Sequence, residues 1–209
     1  MNGIKTCLLF LILINSGLQA QSQVDKVYAG INYGRFNLSG YTPRNYGGLN
    51  LDIQLESNLG FHYNISFARD YFHMPAVGAL GFQLGAHIAS SKKSTDTTND
   101  KIGLGIFIAI LGMLIPEGIY YNFQVNDGLS FAPYLNPLQM DFISNKSTEE
   151  NRRSFGGALG IRTHLYFSDK KFRISPYAEY KIHYDEKLGK GPAFGLCFSI
   201  NLKGNSANG

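Results

Sequence analysis

Residues 49–71 read LNLDIQLESNLGFHYNISFARDY. Two runs in this stretch alternate between apolar and polar residues, from Leu49 to Glu56 and from Phe61 to Phe67. This alternation predicts two β-strands with one apolar and one polar face, joined by a tight turn at Ser57-Asn-Leu-Gly60. A soluble sheet would turn its apolar face inward to a core. A barrel in a lipid bilayer would turn the same face outward, so the rest of the chain must distinguish these two arrangements.

The same alternation recurs along most of the 209-residue chain. We predict nine strands, at 25–38, 47–57, 60–71, 77–89, 118–126, 129–142, 154–167, 172–184 and 191–202. Most of them are ten residues or longer, whereas strands of soluble proteins cluster near ~5–6 residues. The length suits a tilted membrane-spanning strand of ~9–11 residues. Tight turns also alternate with longer connections, which is the layout of an outer-membrane barrel.

The polar face of the predicted strands favours the membrane arrangement. Along 154–167 that face includes Gly156, Ala158 and Gly160, and small residues recur along 191–202. Glycine weakens a strand and gains nothing on a solvent-exposed face. It is useful where the face lines a narrow interior. We therefore predict that the apolar face points to lipid and the polar or small face points into the barrel.

Composition supports the same class of protein. Charged residues make up 16% of the chain, against about 25% in ordinary soluble domains. They crowd into the predicted connections, so we interpret the net charge of +4 as solvation of loops. A nucleic-acid site would need clustered Lys and Arg together with a groove-reading motif, and the sequence has neither. We therefore expect no nucleic-acid partner.

The first twenty residues have the plan of a secretory signal peptide. A single cation precedes an apolar run that starts at Cys7, and small residues follow up to Ala20. The run is too short to span a bilayer of roughly 30 Å as a helix. We expect 1–20 to be removed, leaving one barrel domain over 21–209. Cys197 is then the only thiol, which excludes an internal disulfide.

Residues 102–116 break the alternation because both faces are apolar. The segment is either a tenth strand or a short helix that ends at Pro116. A barrel whose two ends lie on the same side of the membrane needs an even number of strands. We therefore favour an all-β, antiparallel, up-and-down transmembrane barrel of ten strands, with eight strands plus a short helix as the alternative.

A sequence pattern that occurs twice in the chain provides a family resemblance. The stretches 126–134 and 168–177 each run from a tight turn into a small residue, Pro and Tyr, at Pro133-Tyr134 and Pro176-Tyr177. This pattern resembles the strand openings of small Gram-negative outer-membrane barrels of the OmpA, OmpX and OmpW type. The resemblance implies an outer-membrane location, contact with outer-membrane lipid and insertion by the barrel-assembly machinery.

Candidate chemistry lies on the inward face. The ionisable residues predicted there form a polar lumen network of Asp52, Glu56, His62, Arg162, His164, Glu179, Lys181 and His183. Further polar residues predicted inward are Asn64, Gln83, His87, Asn122 and Gln124. Buried charges need partners, so the network is expected to fill and rigidify the lumen; a narrow aqueous pore is the alternative.

No catalytic, metal or cofactor site is predicted from these residues. No serine is evidently paired with His164 or His183, as a lipid-modifying barrel enzyme would require, and the histidines lack the spacing of a metal pair. We expect a structural, adhesive or weakly pore-forming barrel that acts through its surface loops, which carry no motif naming a ligand. A soluble lipocalin-like carrier is the alternative class, although the chain lacks the Trp expected near the first strand of such a protein.

Overall fold

Alternating strands form one antiparallel sheet in the computed structural model, which describes residues 24–90, 107, 112, 115–145, 150–184 and 189–203. The elements in chain order are β1 (Val24–Phe36), β2 (Arg44–Leu55), β3 (Leu59–Ala68), β4 (Tyr71–Pro75), α1 (Ala76–Ser90), β5 (Gly118–Tyr121), β6 (Phe123–Asn126), β7 (Leu129–Asn145), β8 (Glu150–Phe167), β9 (Phe172–His183) and β10 (Gly191–Asn201). The predicted signal peptide lies outside the described residues. Within the described part of the chain, no helix is long and apolar enough to cross a membrane.

The sheet closes because β1 pairs with both β2 and β10. Between β3 and β7, one position of the barrel is shared by several segments. β4 pairs with β3 and β7 near the loop end, and β5 pairs with the same two strands nearer the turn end. β6 continues along β7. The ten strand segments therefore occupy eight positions around a closed barrel.

The predicted all-β antiparallel barrel is confirmed, with one strand assigned wrongly. The segment 77–89 was predicted as a strand but forms α1. Of residues 102–114, only Phe107 and Gly112 are described, and both are helical. Ile115 and Pro116 are described and form no strand, and the remainder of the tenth predicted strand lies outside the described residues.

Burial distinguishes the two faces of the strands. Side chains on the apolar face are exposed on the outside of the barrel. The exposed fractions of Ile31, Leu49 and Ile161 are 59%, 59% and 47%. Their neighbours Asn32, Asn50 and Arg162 are buried. The polar face is thus the interior, and the apolar wall is available to lipid.

Tyrosine rings explain the glycines on the inward face. Tyr134 lies directly opposite Gly160, and Tyr177 lies directly opposite Gly195, in neighbouring strands. A Cβ atom at either glycine would overlap the ring of its partner tyrosine. The pairs Tyr46–Gly34 and Tyr120–Gly60 repeat the arrangement. The two Pro-Tyr stretches of the sequence therefore each place a tyrosine over a glycine of the next strand.

An insertion interrupts the fourth position of the barrel. Ser66 on β3 pairs with His73, and His62 pairs with Gly118, 45 residues further along the chain than His73. If the register of β4 continued past Pro75, one residue opposite Tyr63 would be enough to join it to β5. The chain instead leaves the wall at Pro75, forms α1, and returns just before Gly118.

Helix α1 packs against the outside of the wall. Ala76 and Ala79 are buried against Met74 and Met140, two residues of β4 and β7. Further along the helix, Gln83 contacts Met140 and accepts a hydrogen bond from Arg153 Nη1 at 3.2 Å. The helix therefore rises along the wall towards the loop end of β8. Its small residues face the strands, while Leu80 and Leu84 are exposed.

Candidate functional site: a filled polar lumen

The first group of buried charges, which we name the lower network, consists of Asp52, His62, Arg162, His164 and Arg173. Alternation along β2, β8 and β9 points Asp52, Arg162 and Arg173 into the lumen. Arg162 Nη1 donates to Asp52 Oδ1 at 3.0 Å, and Arg173 Nη2 donates to Asp52 Oδ2. One carboxylate therefore joins three strands across the interior, and its side chain is only 1% exposed.

Aromatic rings support both guanidinium groups. Arg173 lies over the Tyr28 ring with its Cζ 4.0 Å from the centroid, and Arg162 lies 4.8 Å from the centroid of Tyr134. Cation–π contacts of this kind strengthen when they are removed from water. The two cations therefore keep fixed positions although they share one carboxylate.

The two histidines of the lower network have different surroundings. His164 Nδ1 lies 2.8 Å from Ser175 Oγ, a Ser–His pair that sequence reasoning missed. Both residues are 1% exposed, so a bulky substrate has no access to the serine. His62 is fully buried and meets Tyr134 edge to face at 5.3 Å. Neither ring nitrogen of His62 has a hydrogen-bond partner among the described residues.

The second group, which we name the upper network, lies nearer the loop end and surrounds Asp141. His73 Nδ1 and His183 Nε2 each lie 2.7 Å from an Asp141 oxygen, and the Tyr71 hydroxyl donates to the same carboxylate at 2.8 Å. Lys181 Nζ donates to the Tyr71 hydroxyl at 3.0 Å and lies 3.6 Å from Asp141 Oδ1. All five side chains are buried.

Each of the two histidines in the upper network bridges two oxygen atoms. His73 Nε2 lies 2.9 Å from Glu117 Oε1, so its ring bridges two carboxylates. His183 Nδ1 lies 2.6 Å from the carbonyl oxygen of Gly189. Each ring therefore has a hydrogen-bonding partner at both nitrogens. With Lys181, the two rings surround the buried acids of the upper network.

Glu179 lies at the edge of the upper network, between the two charged groups. It accepts a hydrogen bond from the Tyr134 hydroxyl at 2.7 Å and lies 3.9 Å from Lys181 Nζ. The layer of tyrosines paired with glycines therefore connects the upper and lower networks. Charge and hydrogen bonding continue through most of the lumen.

An apolar cluster, which we name the aromatic cap, closes the loop end of the lumen. It contains Phe36, Leu38, Tyr46, Tyr71, Ile143 and Ala193, all less than 5% exposed. The rings of Phe36 and Tyr71 are 4.6 Å apart between centroids. Leu38 belongs to the connection after β1 and turns inward to complete the cap. Water entering from the loop end therefore meets an apolar barrier before it reaches the charges.

Seven of the eight ionisable residues predicted in the lumen line it. Asp52, His62, Arg162 and His164 belong to the lower network, and Glu179, Lys181 and His183 lie in or beside the upper network. Glu56 was predicted wrongly, because β2 ends at Leu55 and Glu56 is exposed in the turn. Of the other polar residues predicted inward, Gln124 is exposed, and Gln83 and His87 lie on α1 outside the barrel.

Sequence reasoning missed Arg173, His73, Glu117 and Asp141. Arg173 shares the parity of Glu179 and Lys181 on β9, so alternation could have identified it. Asp141 was hidden because the pairing of β7 shifts between Asn136 and Gln139, which reverses the face of every later residue. His73 and Glu117 flank the insertion, outside every predicted strand. Among the described residues, no three His, Cys, Asp or Glu side chains are grouped so as to hold a metal ion.

The closed antiparallel wall, the apolar exterior and the charged interior define a small outer-membrane β-barrel. A family model described as the outer membrane protein β-barrel domain matches residues 6–201. The chain therefore belongs to the outer membrane protein β-barrel domain family and is located in the outer membrane.

The chain is similar to solved structures of low sequence identity, and the first of them shows the same fold. The N-terminal β-barrel domain of Pseudomonas aeruginosa OprF is 12% identical, with a TM-score of 0.50, and the match covers 86% of this chain and all of that domain. The attachment invasion locus protein Ail of Yersinia pestis is 15% identical, with a TM-score of 0.42, and the match covers 84% of this chain and 96% of Ail. No curated protein sequence matches the chain.

Proposed function

We propose that the protein is a structural outer-membrane barrel whose lumen is closed and whose loop end carries any adhesive contact. The observation that carries this proposal is the filling of the lumen by two charged networks beneath an aromatic cap. In a conducting barrel, polar side chains line a water-filled passage. Here Arg173, His62, His164 and Asp141 are at most 1% exposed.

The energetics favour a closed lumen. Removing one partner of a buried ion pair typically costs ~3–5 kcal/mol because the other charge is left uncompensated. An ion path through the lower network would have to separate Asp52 from at least one of its two arginines. A path through the upper network would have to displace groups that Asp141 holds together. Each network therefore opposes the weak pore activity that the sequence left open.

The same packing supports a non-enzymatic role. The Ser175–His164 pair has the hydrogen bond that a nucleophile needs, but it is enclosed by the lumen contents. The two cavities described for the barrel lie on its outer wall. A lipid substrate would therefore have to pass through the wall, the cap or the residues at the turn end to reach Ser175.

The positions of the tight turns and of the ends of the barrel support an orientation in the membrane and a route of insertion. β1 begins and β10 ends beside the tight turns at 56–58, 127–128 and 168–171. In bacterial outer-membrane barrels, short turns face the periplasm and longer loops face outward. We therefore expect the loop end to face the cell exterior, the apolar wall to contact outer-membrane lipid and the barrel-assembly machinery to insert the chain.

Planar-bilayer recording of the refolded protein tests the closed lumen. The folded fraction is selected by its shifted mobility in unboiled detergent gels and its β-rich circular dichroism. We expect no discrete conductance steps from this fraction, at a level equal to that of protein-free micelles. Reproducible steps from folded protein, lost after boiling, would show that the lumen conducts.

A further inference from the structure

A row of outward-facing side chains crosses four neighbouring strands near the loop end. Phe67 on β3 pairs with Phe72 on β4, Phe72 pairs with Phe142 on β7, and Phe142 pairs with Arg153 on β8. The rings of Phe72 and Phe142 are 6.0 Å apart between centroids. Three phenylalanines therefore form a continuous apolar strip that ends at an arginine.

A groove of about 700 Å³ lies over this strip, and we name it the rim groove. The turn Arg69-Asp70, which joins β3 to β4, borders the rim groove beyond the end of Phe67. The rim groove thus combines an apolar floor with an arginine at each end. Three strand spacings of ~4.8 Å separate the first and last strands of the row, which places their backbones about 14 Å apart.

The charge of the rim groove is positive. Asp70 is paired with Arg44 at 3.1 Å, so its carboxylate is already balanced. Arg69 is exposed and has no hydrogen-bond or ionic partner among the described residues. Arg153 is exposed, and within the described part of the chain it donates to the neutral amide of Gln83 on α1. Among the described residues, neither arginine of the rim groove is therefore balanced by a carboxylate.

The position of the rim groove along the barrel matches the edge of the membrane. β3 begins at the turn end with Leu59, and Arg69 lies ten residues further along the chain, just beyond the loop end of β3. At a rise of ~3.3 Å per residue and a tilt of ~40°, Arg69 lies about 25 Å from the turn end. The apolar band of such barrels is also about 25 Å tall. Arg69 therefore sits at headgroup level. The phenylalanine strip lies at the level of the upper acyl chains, and the long side chain of Arg153 at its end can extend to the headgroups.

We propose that the rim groove binds a phosphorylated glycolipid of the outer leaflet. Its acyl chains lie along Phe67, Phe72 and Phe142. Arg69 and Arg153 each bind one of its phosphate groups, because guanidinium groups match phosphate oxygens in charge and geometry. The inference rests on the orientation given in the proposed function, with the loop end outward.

A second groove on the outer wall provides an internal comparison. It measures about 610 Å³ and includes Ile31, Phe172, Phe198 and Ile200. The one arginine in its lining, Arg173, is fully buried and bound to Asp52 inside the barrel. This groove can accommodate acyl chains but presents no cation to a headgroup. A lipid that is bound through its phosphate groups should therefore occupy the rim groove and not the second groove.

The test measures binding of bis-phosphorylated lipid A to the refolded protein in micelles of a zwitterionic detergent. Bound lipid is counted by native mass spectrometry. We expect one retained lipid on the wild-type protein and an apparent affinity that falls by about tenfold for each of Arg69→Gln and Arg153→Gln, as for lost hydrogen bonds between charged groups. Arg35→Gln is the matched control, since Arg35 is also exposed near the loop end but lies on β1.

A fluorescent reporter locates the lipid independently. The chain contains no Trp, so Phe72→Trp places a single indole in the rim groove and Phe198→Trp places one in the second groove. We expect lipid A to shift the emission of Phe72→Trp and to leave that of Phe198→Trp unchanged. Lipid A with a single phosphate should bind about tenfold more weakly than the bis-phosphorylated form.

Several outcomes would overturn the proposal while leaving the closed barrel intact. Equal retention of lipid A by the wild type and by a folded Arg69→Gln/Arg153→Gln double variant would show that the rim groove does not select phosphate. An equal loss with Arg35→Gln would show a general effect of net charge. Equal affinity for the two lipid A forms would show that the two arginines do not act on separate phosphates.

Discussion

Asp52 is the residue on which the lower network depends, because it compensates both Arg162 and Arg173. Asp52→Asn keeps the size of the side chain but leaves two buried cations without a counter-charge. We expect the free energy of unfolding to fall by about 3–5 kcal/mol, measured by urea unfolding in lipid vesicles. Glu56→Gln, on the exposed turn beyond the same strand, should change it by no more than ~0.5 kcal/mol. Equal effects of the two substitutions would contradict the network.

Gly160 tests the fit between tyrosine and glycine. In Gly160→Ala the new Cβ would overlap the Tyr134 ring, so we expect a loss of about 1–3 kcal/mol, as for other overpacked sites. Gly47→Ala is the control, because its Cβ would lie 3.6 Å from the nearest atom, the Asn32 carbonyl oxygen. That substitution should be neutral or stabilising. Adding Tyr134→Ala should remove the clash, so the double variant should lose less than the sum of the single losses.

Much of the lumen could be predicted at the level of single residues, because alternation assigns each strand position to a face. This succeeded wherever the parity of a strand is unbroken, as at Asp52 and Arg162. It failed at Asp141, where the shifted pairing of β7 reverses the parity. Which residues meet across the lumen could not be predicted at all. Asp52 and Arg173 lie 121 positions apart, and only the closure of the barrel brings them together.

Substitutions along β8 can test whether the outer face of this strand contacts lipid. Ile161 lies midway between Phe155 and Phe167 on that face and is exposed. Ile161→Arg should cost about 2–4 kcal/mol, whereas Phe167→Arg, at the turn end of the same strand, should cost only ~0–1 kcal/mol. Urea unfolding in vesicles measures both. A larger loss at position 167 than at position 161 would contradict the membrane depth assigned to β8.

The insertion between β4 and β5 can be removed without breaking the register of the wall. Because one residue is enough to continue the register from Pro75 to Gly118, replacing 76–117 with a single Val should restore an uninterrupted fourth strand. The variant loses the Glu117 carboxylate, so Glu117→Gln in the full chain is the matched control. We expect both proteins to refold as barrels of similar stability, measured by gel mobility without boiling and by urea unfolding. Aggregation of the deletion variant alone would show that α1 is needed for the wall.

Helix α1 shows why one element was predicted wrongly. Residues 76–90 are almost entirely apolar or small, so alternation and helical periodicity are hard to separate. The helical signal is present in the spacing of Ala76 and Ala79, which pack on the wall, and of Leu80 and Leu84, which are exposed. Such spacings of three and four residues are typical of a helix. Pro75, which cannot donate to a strand ladder, marks the point where the strand stops.

At the scale of the whole molecule, the layers of the lumen follow one another from the turn end to the loop end. The lower network, the tyrosine layer, the upper network and the aromatic cap each join strands that are distant around the barrel. Charges that would be costly singly are held because each has partners on other strands. Closure of the barrel and filling of its lumen therefore depend on each other.

The reactivity of the Cys197 thiol tests whether the lumen is closed to water. It lies on β10 opposite Ser175 and Asn32, is 3% exposed, and is the only cysteine among the described residues. We expect a water-soluble maleimide to leave Cys197 unmodified in the folded barrel and to modify it fully after unfolding in urea, as measured by mass spectrometry.

A control is needed to separate an unreactive thiol from an inaccessible one. In a Cys197→Ala background, Ser39→Cys places a thiol in the exposed connection after β1, where the same reagent should react with the folded protein. Because the maleimide must travel through water, lipid on the outer wall cannot account for protection of Cys197. Rapid modification of Cys197 in barrels that still migrate as folded would mean that water passes the aromatic cap or the turn end. The lumen would then be open, and the structural role proposed for the protein would have to give way to a pore.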